Sequence, residues 1–125
     1  MYRLFKNARE PMSSYTHFLG MIFSTAATIF LVLLNTINGD FSVRMLVSIL
    51  VFGFSMLALY SASSIYHFYN GPLFKQERLR KLDHAMIYVL IAGSYTPICL
   101  KFMEGSYGII FVSVIWAIAL CGILV

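Results

Sequence analysis

Charge is what this sequence lacks. Only 11% of its 125 residues are Asp, Glu, Lys or Arg, whereas a soluble domain carries about 25%. So few charges cannot cover a water-facing surface, which excludes a soluble globular chain. Cysteine is scarce as well. Cys99 and Cys121 each stand alone in an apolar run, with no Cys-x-x-Cys spacing, and both read as packing residues rather than a redox pair or metal knuckle. No two histidines lie three or four residues apart, and no nucleophile elbow or phosphate-binding glycine loop occurs. The common zinc-protease, serine-hydrolase and nucleotide-binding readings fall with them. Nine basic residues stand against five acidic ones, but they are scattered in short segments between apolar runs. That pattern carries no nucleic-acid signature, and no nucleic-acid partner is expected.

What is present is apolar length. Apolar residues make up 60% of the chain and aromatic ones 16%. Four apolar runs, at about 18–37, 45–69, 83–100 and 107–125, match the roughly 20 residues that cross a bilayer. The expected fold is all-α: a multi-pass transmembrane helix bundle with four helices in one domain, 1–125. Ser13 and Ser14 are candidate caps for the first helix. Asn35 to Asp40 reads as a turn, and Asn70-Gly71-Pro72 ends the second run because proline cannot continue the helical ladder. Residues 73–82 read as a basic loop or short surface helix, and Pro97 should kink or fray the third span. The first run follows a basic segment, as a signal peptide would. It exceeds the about 7–15-residue core of such a peptide and ends in a turn rather than a cleavage site, so it reads as a retained span. The fourth run is still apolar at Val125. A helix ending at bilayer depth leaves polar groups in hydrocarbon, so a longer parent chain is expected.

Basic residues set the orientation. Arg3, Lys6 and Arg9 precede the first span and Lys75, Arg78, Arg80 and Lys81 follow the second; Arg44 and Lys101 lie on the other side, a ratio of seven to two. The N-terminus and second loop are therefore expected in the cytoplasm. This places His17, Ser63, His67, Asp83 and His84 at one depth, near the inner leaflet.

Each of these residues has two readings. Ser48, Ser55, Ser63 and His67 follow one another at steps of seven, eight and four, which return to one helix face. For Ser48 and Ser55 close helix packing is the simpler account. Ser63 and His67, one turn apart, can reach a common ligand. Asp83 is either an N-cap of the third helix or a carboxylate that orients a metal-bound water or a ligating histidine. His84 points elsewhere and reads as interfacial. His17 heads a small-residue stripe, Gly20, Ser24 and Thr28, and reads as a snorkelling histidine above a helix–helix contact. Residues 75–81 can touch anionic lipid.

Three motifs carry a resemblance. Glu10-Pro-Met-Ser-Ser-Tyr-Thr-His17, Ser63-x-x-x-His67, and Leu82-Asp83-His84-Ala85 with Ile91-Ala-Gly-Ser-Tyr-Thr-Pro97 resemble, in order and spacing, the hemolysin III branch of the progestin and adipoQ receptor family. The resemblance covers essentially the whole chain. It implies a seven-helix membrane protein with a cytoplasmic N-terminus, of which four helices are present here. The short N-terminus is similar to that of the bacterial branch, so a bacterial plasma membrane is the expected location.

The wider superfamily includes alkaline ceramidases and shares a zinc site near the cytoplasmic side. Its pattern is a Ser-x-x-x-His late in the second helix, an Asp at the third and a His-x-x-x-His in the seventh. The resemblance thus implies zinc as cofactor, His67 as a ligand, Asp83 as the residue holding the zinc-bound water, and Ser63 lining the site. The seventh-helix pair is absent from these 125 residues, so this chain alone is not expected to hold zinc tightly or to catalyse. Three functions follow as expectations: a zinc-dependent hydrolase of lipid amides, a non-catalytic membrane sensor or receptor with structural zinc, and a cytolysin, for which no amphipathic switchable segment is found. Membrane lipids are the expected partners, with a homo-oligomer or further helices completing the assembly.

Overall fold

The polar turns in the sequence punctuate four helices. The computed structural model describes residues 1–39 and 41–125; Asp40, assigned to the first turn, lies outside the described residues. A short 3-10 turn, Tyr2–Phe5, precedes α1 (Pro11–Ile37), α2 (Val43–Phe68), α3 (Leu73–Phe102) and α4 (Tyr107–Leu124). No strand occurs among the described residues. All four helices are long and apolar enough to cross a membrane. The fold is an all-α, multi-pass membrane-helix bundle.

Two helix starts differ from the sequence reading. α1 begins at Pro11 with Glu10 as its N-cap, so Ser13 and Ser14 lie inside the helix rather than capping it. Proline at the first helical position explains this: its φ is already helical, and its missing N–H needs no partner there. α3 begins at Leu73 behind Pro72, and residues 73–82 are its opening turns rather than a loop. Apart from Phe74, that stretch is Leu, Lys, Gln, Glu and Arg, all strong helix formers, with no breaker among them. Asp83 is therefore interior to α3 and caps nothing. α2 starts where a cap was not assigned: Ser42 accepts a hydrogen bond from the Met45 N–H. Gly39 and Gly105, in the two turns on the far side, take φ of 79° and 59°, which glycine adopts without a Cβ clash.

Extensive packing follows chain order, α1 on α2, α2 on α3 and α3 on α4. The contacts are made by small residues. Ser14, Ser24, Ser48, Ser55, Ala92 and Thr96 are buried, while Phe23 and Phe54 are 70% and 64% exposed. This inverts the soluble pattern. Lipid solvates Phe and Leu as well as a protein core does, so helices associate where small side chains let backbones approach. The Gly20–Thr28 stripe lies on α2: a Cβ at Gly20 would sit 2.7 Å from the Tyr60 ring, and one at Gly53 would overlap Thr28. On the other side of α2, a Cβ at Gly93 would overlap Ser55. Ser48 and Ser55 bond their own helix, to Met45 and Phe52 carbonyls. Cys99 is buried in these contacts, whereas Cys121 is exposed on α4.

Gly53→Val and Gly93→Val should each destabilise the bundle by about 1–3 kcal/mol, the usual cost of overpacking. Ala26→Val, on an exposed face of α1, should change stability by less than about 0.5 kcal/mol. Unfolding by SDS titration from mild detergent micelles, followed by circular dichroism, measures the difference.

Candidate functional site

The last carbonyls of α2 have no partner within the helix. The segment entering α1 supplies two. The Arg9 N–H donates to the Phe68 carbonyl at 3.3 Å and the Glu10 N–H to the His67 carbonyl at 3.0 Å. One turn further in, Ser14 Oγ donates to the Ser64 carbonyl and Ser64 Oγ to the Ser14 carbonyl, both at 2.9 Å. The start of α1 is thereby joined to the end of α2.

Two side-chain pairs extend this seam. Ser63 Oγ lies 2.7 Å from His17 Nδ1, and His67 Nδ1 lies 2.8 Å from Glu10 Oε2. The two imidazoles meet edge to face, with centroids 5.4 Å apart. Elsewhere in the helices, Ser24, Thr28, Ser55, Ser94 and Thr96 turn their hydroxyls back onto their own helix. Ser63 does not; its hydroxyl is committed across the α1–α2 interface.

A carboxylate only accepts hydrogen bonds, so Nδ1 of His67 carries the proton it shares with Glu10. Nε2 has no hydrogen-bond partner among the described residues. Glu10 is held in turn by Arg9, whose Nη2 donates to Oε1 at 2.9 Å. Arg9 also donates from Nη1 to Gln76 Oε1 of α3 at 2.9 Å and lies over the Tyr66 ring, 4.5 Å from its centroid. Its guanidinium is pushed above its ordinary range, first by the neighbouring Tyr66, with burial opposing and Glu10 adding to the rise. It is a cation at any pH of interest.

Asp83 arrives from α3. Gly93 abuts Ser55, and the turns from Gly93 back to Asp83 run antiparallel to those from Ser55 forward to Ile65. Asp83 is thus level with the end of α2. Asp83 is half-buried and makes no side-chain hydrogen bond among the described residues. His84 does not join the group: it is exposed, and its Nδ1 bonds the Arg80 carbonyl one turn back at 2.8 Å.

Ser63, His67 and Asp83, the three residues singled out from sequence, therefore gather at one end of the bundle. Three others belong with them. His17, read from sequence as a snorkelling residue, is the partner of Ser63. Arg9 enters the sequence reading only as a charge that sets orientation, and Glu10 only as the start of a motif. The available signal was scarcity: with five acidic residues in the chain, a carboxylate entering a span needs a partner.

As a metal centre the set is incomplete. No group of three or more His, Cys, Asp or Glu side chains is placed to hold a metal ion among the described residues, and a catalytic zinc takes three protein ligands. His67 by itself has the form of a ligand. An imidazole that donates one nitrogen to a carboxylate and presents the other is the common arrangement at metal sites.

The fold and this polar seam define an integral membrane protein of packed apolar helices with its histidines and most of its charged groups at one membrane end. A family model described as Haemolysin-III related matches residues 5–125, and the chain belongs to that family. It is 37% identical over 120 residues to the Hemolysin-3 homolog of Bacillus subtilis (strain 168), covering 96% of this chain and 55% of that protein. It is 38% identical over 116 residues to the Hemolysin-3 of Bacillus cereus, covering 92% and 51% respectively. The chain spans about half the length of these curated relatives. No solved structure matches it.

The seam makes a prediction about additivity. Ser63→Ala and His17→Ala each remove the same hydrogen bond, so the double variant should lose less than the sum of the two. Ser14→Ala and Ser64→Ala remove two separate but adjoining bonds to backbone carbonyls, so their coupling should be weaker than that of Ser63 with His17. Each bond is expected to contribute about 0.6 kcal/mol, the average for hydrogen bonds between membrane helices, and at most about 1.7 kcal/mol. Double-mutant cycles on detergent-solubilised protein test both statements.

Proposed function

We propose that this chain supplies the Ser63–His67–Asp83 part of a zinc-dependent hydrolase site that acts on amide bonds of membrane lipids, with the remaining metal ligands drawn from outside these residues. The observation that supports this reading is that Ser63, His17 and His67 meet where α1 enters, and α2 leaves, the apolar zone, with Asp83 of α3 at the same level. Lipid amides lie at that depth, between headgroup and acyl chains. The excess of basic residues at the same end, seven against two, supports a cytoplasmic site, and the Bacillus relatives support a bacterial plasma membrane.

The residues divide the work. His67 would hold the metal through Nε2. Zinc, when bound, lowers the pKa of a coordinated water to about 7 and polarises a carbonyl. Asp83, with no competing hydrogen bond among the described residues, holds the attacking water and accepts its proton. Ser63 and His17 keep one donor in hand whichever holds the shared proton. If Ser63 donates to Nδ1, the His17 Nε2–H remains; if Nδ1–H donates to Ser63, its O–H remains. Either donor suits the oxygen of a scissile carbonyl.

A second reading is a non-catalytic sensor or receptor in which zinc clamps helices together. The α1–α2 seam favours it, since every bond there already joins helix to helix. A cytolysin has no such support.

The test uses a full-length family member that carries counterparts of these residues, purified with zinc and given ceramide-type lipids. Fatty-acid release is expected. Asp83→Ala should lower kcat by about 10²–10⁴-fold, the span of general-base contributions, with zinc content unchanged, and His67→Ala should strip the metal. Intact zinc binding with no release from any lipid amide would overturn the hydrolase. An Asp83→Ala variant that keeps zinc and full biological effect would favour the clamp.

A further inference from the structure

We infer that Arg9 and Glu10 are positioning residues for His67: together they select its Nδ1–H tautomer and aim Nε2 into the site. The inference rests on the reading of His67 as a metal ligand. Glu10 occupies the N-cap of α1, where a side-chain oxygen ordinarily accepts from the first helical N–H groups. It makes no such cap bond. Its carboxylate instead bridges two groups, Arg9 through Oε1 at 2.9 Å and His67 through Oε2 at 2.8 Å.

The bridge is held at every point. Backbone bonds tie residues 9 and 10 to the carbonyls of Phe68 and His67, so the carboxylate cannot drift along α2. Gln76 of α3 and the Tyr66 ring fix the guanidinium from the other side. Arg9 Nε is buried with no hydrogen-bond partner among the described residues. Three helices thus determine the direction of one imidazole. A ligating histidine depends on this kind of support, and loss of the outer partner typically weakens metal affinity about 10–100-fold.

The experiment has two arms. In the first, the metal-free 125-residue chain is placed in nanodiscs at a pH where imidazoles are neutral, and His67 is followed by ¹⁵N NMR. Wild type should show the Nδ1–H tautomer; Glu10→Gln should shift the population toward Nε2–H, and Glu77→Gln, whose carboxylate pairs with Arg80 instead, should not. In the second, zinc affinity is measured by chelator competition on a full-length family member with the matching substitution. A fall of about 10–100-fold is expected, with helix content by circular dichroism unchanged.

Should Glu10→Gln fail to fold, Arg9→Gln leaves the carboxylate in place without its clamp, and a smaller change in the same direction is expected in both arms. An unchanged tautomer and unchanged zinc affinity would overturn the inference while leaving the zinc reading intact. A wild-type protein that binds no zinc would overturn the ligand reading; a tautomer shift would then still establish Glu10 as the group that orients His67.

Discussion

Inside a bilayer no water is at hand to satisfy a polar group, and partners must come from the protein. That constraint governs how α1 meets α2. Where the two helices are apolar, small residues let them touch, as Gly20 does against Tyr60 and Gly53 against Thr28. Where they turn polar, at one end, each exposed requirement is met across the interface. The serine hydroxyls of residues 14 and 64 exchange bonds with each other's carbonyls. The orphan carbonyls of α2 take N–H groups from the chain entering α1. His17, Ser63, His67 and Glu10 pair off. Without these pairings the same groups would have to be solvated by headgroups or left unmet.

The same pairings set two residues apart from others of their type. A serine that bonds only its own helix is inert packing, which is the state of Ser48 and Ser55. Ser63 differs by having a histidine opposite it. His67 differs from His84 in the same way. One faces a carboxylate on another helix, the other folds back on its own backbone. Residue type is alike within each pair; the neighbour across the interface sets the two apart.

α3 ties this end to the rest of the bundle. Its opening turns carry Gln76, which receives Arg9, and its next turns bring Asp83 level with the end of α2. A flexible basic loop over residues 73–82 would have left both positions undefined. Because that stretch is helical, Asp83 is carried on a continuous helix that also contacts the start of α1 through Gln76.

Much of this was legible in the residues. Apolar run length determines membrane helices, because the bilayer sets how many residues are needed to span it. Turn residues determine where they end, and the spread of Lys and Arg puts Ser63, His67 and Asp83 at one end. Motif order pointed to the family that residues 5–125 match. The sequence could not show that α3 starts at Leu73, since strong helix formers beside a bilayer read equally as loop or surface helix. Nor could it show that His17 belongs to Ser63, or Glu10 and Arg9 to His67. Helical periodicity reports which residues share a face of one helix. Which faces of two helices meet, and in what register, depends on the packing of Gly20, Ser14, Gly53 and Gly93 against their neighbours, and only the tertiary structure decides that.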